Sequence, residues 1–247
     1  MNKILTFSVL LFLISCSGIH YSITGMKGIR IPVDNSVSVQ QDNPVVNMIQ
    51  PYKSALDVTM NEVIGYAPAT MRGHAPESLL SNYCADIYRE TATDFLKKPV
   101  DIAIVNLGGL RTTIPAGNVT IRKMYELMPF ENELVIIGVK GSNLIPLFHR
   151  MALAGGEGIS GMNFIIYNGK AVDINIGGEK LNPEKVYFIA TNNYLSEGND
   201  NMPELRLQES AVQTGIKVRD MLTFYIKKAT SEGKKVESKI DGRITQK

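Results

Sequence analysis

The sequence predicts an α+β fold of mixed α/β layers. Apolar runs of strand length, Val100–Val105, Leu134–Val139 and Val186–Thr191, are separated by longer segments whose apolar residues recur at helical spacing, Glu77–Lys97, Ser142–Ala154 and Val218–Lys228. Asn168-Gly169 is a hairpin signal between Asn163–Tyr167 and Ala171–Ile176, so the sheet is not purely parallel. No internal repeat or clean linker interrupts residues 45–247, which read as one domain.

In chain order, the first segment is a targeting signal. Lys3 precedes the largely apolar run Ile4–Ile14 and then Ser15-Cys16, the charged, apolar and small-residue regions of a secretory signal. The run is too short to span a bilayer as a mature helix. Leu13-Ile14-Ser15-Cys16 resembles a bacterial lipobox, in which the cysteine becomes the lipid-modified first residue. The alternative is an ordinary secretory signal with an incidental cysteine. Residues 1–15 are therefore expected to be a lipoprotein signal peptide, with Cys16 as the lipid attachment point. Residues 16–44 are polar and without periodicity, as expected of a tether that holds the domain to a membrane of the bacterial cell envelope.

The folded part is expected to open with an amphipathic helix near Val45–Met60, packing through Val45, Met48, Ile49, Tyr52 and Leu56. A strand around Glu62–Ala67 follows. Pro76 precedes the helix Glu77–Lys97, and Lys97-Lys98-Pro99 supplies the basic residues and the breaker expected at a helix end. Leu80, Cys84 and Ile87 share one face of that helix, so Cys84 reads as a small apolar packing position, with a nucleophile as the alternative. With Cys16 lipidated, Cys84 has no cysteine to pair with. Thr120 is the expected N-cap of a short helix reaching Leu127, because its hydroxyl can accept a backbone amide bond.

Composition narrows the function classes. The 247 residues are 44% hydrophobic and 20% charged with a formal net charge of +2, which excludes fibrous, collagen-like and disordered chains. Charges of both signs are mixed, without a basic run, so no nucleic-acid polymer is expected as a partner.

The most informative stretch is Asn106-Leu107-Gly108-Gly109-Leu110-Arg111, where a buried strand enters a tight turn that presents an amide and a guanidinium together. A planar guanidinium donates two parallel hydrogen bonds to phosphate oxygens, a geometry lysine lacks. Downstream, Phe130 and Tyr194 offer aromatic faces and Asp200 a carboxylate. Each also has an ordinary structural reading: Asn-x-Gly-Gly as a plain turn, Pro129-Phe130 as core packing, Asp200 as a solvated or capping loop residue.

Taken in order with Gly117-Asn118-Val119-Thr120, Met128-Pro129-Phe130-Glu131-Asn132, Val139-Lys140-Gly141 and the run from Val186 through Asn193-Tyr194 to Gly198-Asn199-Asp200, these residues are similar to the C-terminal, nucleotide-binding domain of bacterial and animal 5′-nucleotidases and UDP-sugar hydrolases. The resemblance implies that domain's fold over residues 45–247 and a nucleoside monophosphate or related nucleotide as ligand. It implies that Asn106 bonds the nucleoside, that Arg111 bonds the phosphate, that Phe130 and Tyr194 sandwich the base, and that Asp200 grips the ribose hydroxyls. The chain departs from the family pattern at Leu107 and Glu131, where the family has glycine, and at Asn199 and Asn201 of the turn. An upstream phosphate-binding arginine has no exact counterpart, its place falling near His74 with Arg72 close by.

The resemblance also implies two divalent metals held by a metallophosphatase domain rich in histidine and aspartate. The chain has only 3 histidines, His20, His74 and His149, in no clustered motif, so no metal site and no catalytic residue is expected within it. The metals are expected on a separate metallophosphatase-domain protein. Two functions follow as expectations: the substrate-recognition half of a split 5′-nucleotidase acting in nucleotide catabolism, or a non-catalytic nucleotide- or nucleoside-binding envelope lipoprotein. A site decayed into a scaffold is the bland alternative.

Overall fold

The structure is a computed structural model that describes residues 21, 22, 25–31 and 43–247. Residues Ile49–Lys247 form one compact unit. The expected signal peptide, Cys16 and most of the expected tether lie outside the described residues. Among the described residues no helix is long and apolar enough to cross a membrane.

The elements run α1 (Asn43–Met60), β1 (Val63–Ala67), α2 (Leu79–Leu96), β2 (Ile102–Val105), a 3-10 turn (Leu107–Gly109), β3 (Gly117–Thr120), α3 (Ile121–Leu127), β4 (Glu133–Lys140) and α4 (Gly141–Leu153). They continue through β5 (Gly158–Ser160), β6 (Met162–Tyr167), β7 (Lys170–Ile176), β8 (Glu179–Lys180), β9 (Val186–Asn192), α5 (Asn193–Ser196), a second 3-10 turn (Pro203–Arg206), β10 (Gln208–Lys217), α6 (Val218–Ser231) and β11 (Ile244–Gln246).

Side-chain alternation in a central mixed sheet, ordered β10-β4-β9-β2-β5, builds the domain. On β2 and β4, Ala103, Val105, Leu134 and Ile136 join one core with Leu80, Cys84 and Tyr88 of α2 and Met221, Leu222 and Ile226 of α6. The intervening residues Ile102, Ile104, Val135 and Ile137 join a second core with Leu144, Leu147, Phe148 and Met151 of α4 and with Phe164 and Ile166 of β6. The inner strands are thus covered on both faces, which is why β2, β4 and β9 read as continuous apolar runs. A smaller sheet, ordered β11-β6-β7-β8, backs the second core, and β1 pairs antiparallel with β3.

Local chemistry sets the helix starts. Ser78 and Ser81 form a reciprocal capping box at α2, and the Thr120 hydroxyl accepts the Lys123 amide at α3. Cys84 is fully buried on α2; burial, with the Asp86 carboxylate beside it, pushes its thiol up to about 12. It packs and does not present a thiolate at neutral pH.

Two expectations need correction. Helix α1 forms, but none of its residues is buried: Ile49, Tyr52 and Leu56 are 51%, 77% and 53% exposed, so its apolar stripe is not a packed face. Strand β10, Gln208–Lys217, has no counterpart among the elements expected from the sequence. It lies at the sheet edge against β4 with most residues exposed on both faces, so its hydrogen bonds, not burial, define it, and they leave no hydrophobic alternation to read.

The C-terminal segment is fastened by Arg243. Its guanidinium forms a bidentate pair with Asp86 of α2, both bonds 2.8 Å, and donates to the Ile159 carbonyl of β5 at 2.8 Å and to Asp241. The arginine side chain is 12% exposed and the Asp86 side chain 42%, so solvent screens part of the pairing. Arg243→Ala is expected to lower unfolding free energy by about 2 kcal/mol, read from urea denaturation midpoints.

Candidate functional site

The strand register gathers the site at one end of the central sheet. Strands β2 and β9 are parallel, with Ile102 opposite Ile189 and Ala103 opposite Ala190, so both carry the chain out at the same edge, β2 into Asn106 and β9 into Asn193 and Tyr194. Strand β4 is antiparallel to β9, with Leu134 opposite Asn192, so Phe130 and Asn132 enter from that same edge. Strand β5 is antiparallel to β2, with Val105 opposite Gly158, which sets Glu157 beside the turn after β2. Turns that follow neighbouring parallel strands share the space beyond their carboxyl ends, the place where open α/β sheets hold ligands.

A cleft of about 320 Å³ opens there, lined by Asn106, Gly108, Gly109, Arg111, Phe130, Asn132, Tyr194 and Asp200. All five residues singled out from the sequence, Asn106, Arg111, Phe130, Tyr194 and Asp200, border this one cavity. Asn106 is buried, and its side-chain amide donates to Asp200, joining segments far apart in the chain. The Tyr194 hydroxyl donates to the other Asp200 oxygen at 3.0 Å, and that carboxylate pushes the phenol above its ordinary value. Arg111 is exposed, donates to the Gly108 carbonyl at 3.1 Å and lies 6.0 Å from the Phe130 ring centroid. Phe130 and Tyr194 are 45% and 41% exposed, apolar surface a flat ligand could cover.

The departures from the family pattern have local explanations. Leu107 does not take a positive φ. The close approach falls at Gly109, where a Cβ would sit 2.8 Å from the Asn106 side-chain oxygen. Asp200 and Asn201 occupy the left-handed region at φ 51° and 59°, which Asp and Asn tolerate better than other non-glycine residues. Asn199 needs no such freedom and donates its side-chain amide to the Tyr194 carbonyl at 2.8 Å, tying the turn to α5.

Glu131 does not stand in the cleft as a bare charge. Lys217 and Arg219 both bond its carboxylate, and they hold it down at about 2. Arg219 in turn stacks over Tyr125 at 4.0 Å and donates to the Met128 carbonyl, so this cluster braces the segment that carries Phe130. Arg72 and His74 are exposed and do not line the cleft, although Gly73 between them packs near Leu110 of the glycine turn.

Two further residues belong to the site without a role assigned from the sequence. Asn132 lines the cleft from the start of β4. Glu157 accepts the Leu107 amide at 2.6 Å; burial pushes its carboxyl up to about 7, the Leu107 hydrogen bond opposing and the Asp200 charge reinforcing the rise. The clue within the sequence is a lone acidic residue inside Gly155-Gly156-Glu157-Gly158, which only the β2–β5 register turns into a contact.

The two carboxyls are therefore expected to titrate far apart, Glu131 with a midpoint near 2 and Glu157 near 7, in a carbon-detected NMR titration. The favourable pairing of Glu131 is present above the ordinary glutamate range and is lost only as pH falls through its depressed value. Two midpoints near the ordinary glutamate value would refute both environments.

Comparisons with known proteins bear on the family and the fold. The family model described as 5′-nucleotidase, C-terminal domain matches residues 58–206. The chain is 29% identical over 135 residues to Protein UshA of Escherichia coli (strain K12), covering 53% of this chain and 24% of that protein. It is 25% identical over 238 residues to the trifunctional nucleotide phosphoesterase protein YfkN of Bacillus subtilis (strain 168), covering 87% of this chain and 16% of that protein. Among solved structures, the 5′-nucleotidase precursor from Thermus thermophilus matches with a TM-score of 0.70 and 27% identity, over 83% of this chain and 43% of that one. The chain thus spans less than half the length of each of these relatives. A mixed sheet covered on both faces, a cleft at the ends of its strands and a family match across the elements that form it lead to one conclusion: the chain belongs to the family of 5′-nucleotidase C-terminal domains.

Proposed function

We propose that this domain is the substrate-recognition half of a 5′-nucleotidase-type phosphohydrolase, which binds nucleoside 5′-phosphates while a separate metallophosphatase domain brings the divalent metals and the chemistry. The observation that carries this reading is the convergence of Asn106, Arg111, Phe130, Tyr194 and Asp200 on one cleft. Each group suits one part of a nucleotide. The exposed faces of Phe130 and Tyr194 suit a base of any identity, since every base has a π-face. Asp200, an acceptor already held by Asn106 and Tyr194, suits the donor hydroxyls of a ribose. The exposed Arg111 guanidinium suits the phosphate.

The described residues do not fit a dinuclear metal centre. Among the described residues no three His, Cys, Asp or Glu side chains come together to hold a metal ion. His74 is exposed beside its own loop, and His149 accepts the Ala171 amide. No hydrolytic step is therefore assigned to this chain, and the proposal gives it binding and orientation of the substrate. The Lys3, Ile4–Ile14 and Ser15-Cys16 pattern supports a further part of the proposal, that the domain is held to the bacterial cell envelope through lipid on Cys16.

In calorimetric titrations, Phe130→Ala and Tyr194→Ala are each expected to weaken adenosine binding by about 1–3 kcal/mol. Arg111→Ala is expected to weaken AMP by a much larger factor than adenosine, and equal losses would remove the phosphate assignment. AMP hydrolysis is expected on adding a metal-loaded metallophosphatase domain from a related 5′-nucleotidase. Tight AMP binding with no gain in turnover would favour capture without hydrolysis.

A further inference from the structure

Glu157 sits behind the cleft wall, not in it. Its carboxylate reaches the amide of Leu107, the first residue of the 3-10 turn, at 2.6 Å. That amide belongs to the opening residue of a helical turn, where intrahelical acceptors are absent. The turn carries Asn106 at its entry, Gly108 and Gly109 on the cleft wall and Arg111 just beyond it. Glu157 thus meets the backbone between the Asn106 amide and the Arg111 guanidinium.

The flanking glycines make the reach rigid. A Cβ on Gly156 would lie 2.5 Å from the Pro76 carbonyl oxygen, and one on Gly158 would lie 2.9 Å from the Val105 oxygen. The Gly156 amide is bound to the Met151 carbonyl at 2.9 Å, and Gly158 is paired with Val105 in the sheet. The backbone on both sides of Glu157 is therefore held against its neighbours, and the side chain between them has a fixed origin. Across the turn, Asp200 is the charged group that acts on it.

We propose that Glu157 is a positioning residue for nucleotide recognition: its carboxylate tethers the Leu107 amide and so holds Asn106 and Arg111 in the arrangement that accepts a ligand. The ligand named here rests on the nucleotide-recognition reading above, whereas the tether itself does not. The tether needs an oxygen acceptor at the right reach, not a charge. A carboxylic acid, a carboxylate and a primary amide all provide one, but a side chain one methylene shorter does not.

The experiment compares the wild-type domain with Glu157→Gln, Glu157→Asp and Glu157→Ala. It reads Leu107 amide-proton exchange by NMR, adenosine and AMP affinity by calorimetry, and the melting temperature. Glu157→Asp and Glu157→Ala are expected to speed Leu107 exchange and to weaken both ligands by about tenfold. Glu157→Gln is expected to restore wild-type exchange and affinity. Rescue by the neutral residue of correct length, with failure of the charged residue of wrong length, separates a tether from an electrostatic or general folding role. If Glu157→Ala does not fold, the Gln–Asp comparison decides alone. The proposal is overturned if Leu107 exchange is the same in Glu157→Asp as in wild type, or if Gln and Asp are equally impaired. Absence of ligand binding by the wild-type domain would instead refute the nucleotide reading, with Leu107 exchange still reporting on the tether.

Discussion

The hydrogen bond from the buried Asn106 side chain to Asp200 closes the site, and much of the architecture exists to make it possible. Two segments 94 residues apart meet there because β2 and β9 run side by side in the same direction. Parallel neighbours end at the same edge, so the turns that follow them must share space beyond it. The Thr191 hydroxyl adds a cross-strand bond to the Ile104 carbonyl at 3.0 Å, just before the two chains leave the sheet. The cleft inherits its accuracy from strands buried on both faces, where a slip of register would disrupt the packing of both cores.

Around that bond the structure arranges its polar groups in layers. Groups that face the cleft, Arg111 and the two aromatic rings, are left partly exposed. Groups behind it are tied down: Asn193 accepts the Glu133 amide, Asn199 holds the Tyr194 carbonyl, Arg219 and Lys217 hold Glu131, and Glu157 holds the Leu107 amide. A cleft built from short turns needs this support, because a turn without a packed side chain of its own has little to keep it in one conformation. The same residues that break the family's glycine pattern, Glu131 and Asn199, are among the supports.

The fold is largely legible in the sequence because its strands and helices obey simple burial. Val100–Val105, Leu134–Val139 and Val186–Thr191 correspond to β2, β4 and β9 within two residues, and Asn168-Gly169 turns β6 into β7. Reading fails where burial is not the organising factor. Strand β10 lies at an edge with both faces largely in water, so its ten residues carry no apolar alternation, and β5 and β11 are too short for a periodic signal. The stripe on α1 misleads in the opposite direction, since apolar spacing describes a face without saying what covers it.

By itself the sequence determined the elements of the central sheet and the helices on it, apart from its edge strands, and the kinds of side chain available to a ligand: one guanidinium, two aromatic faces, an amide and a carboxylate. These are local properties of residue type, spacing and order. The tertiary structure alone decided that Asn106, Arg111, Phe130, Tyr194 and Asp200 share one cleft, that Glu131 is paired with Lys217 and Arg219, and that Glu157 reaches Leu107. Each of those depends on strand pairing between distant segments. Pairing is set by how whole faces bury against one another, which no single stretch of residues contains.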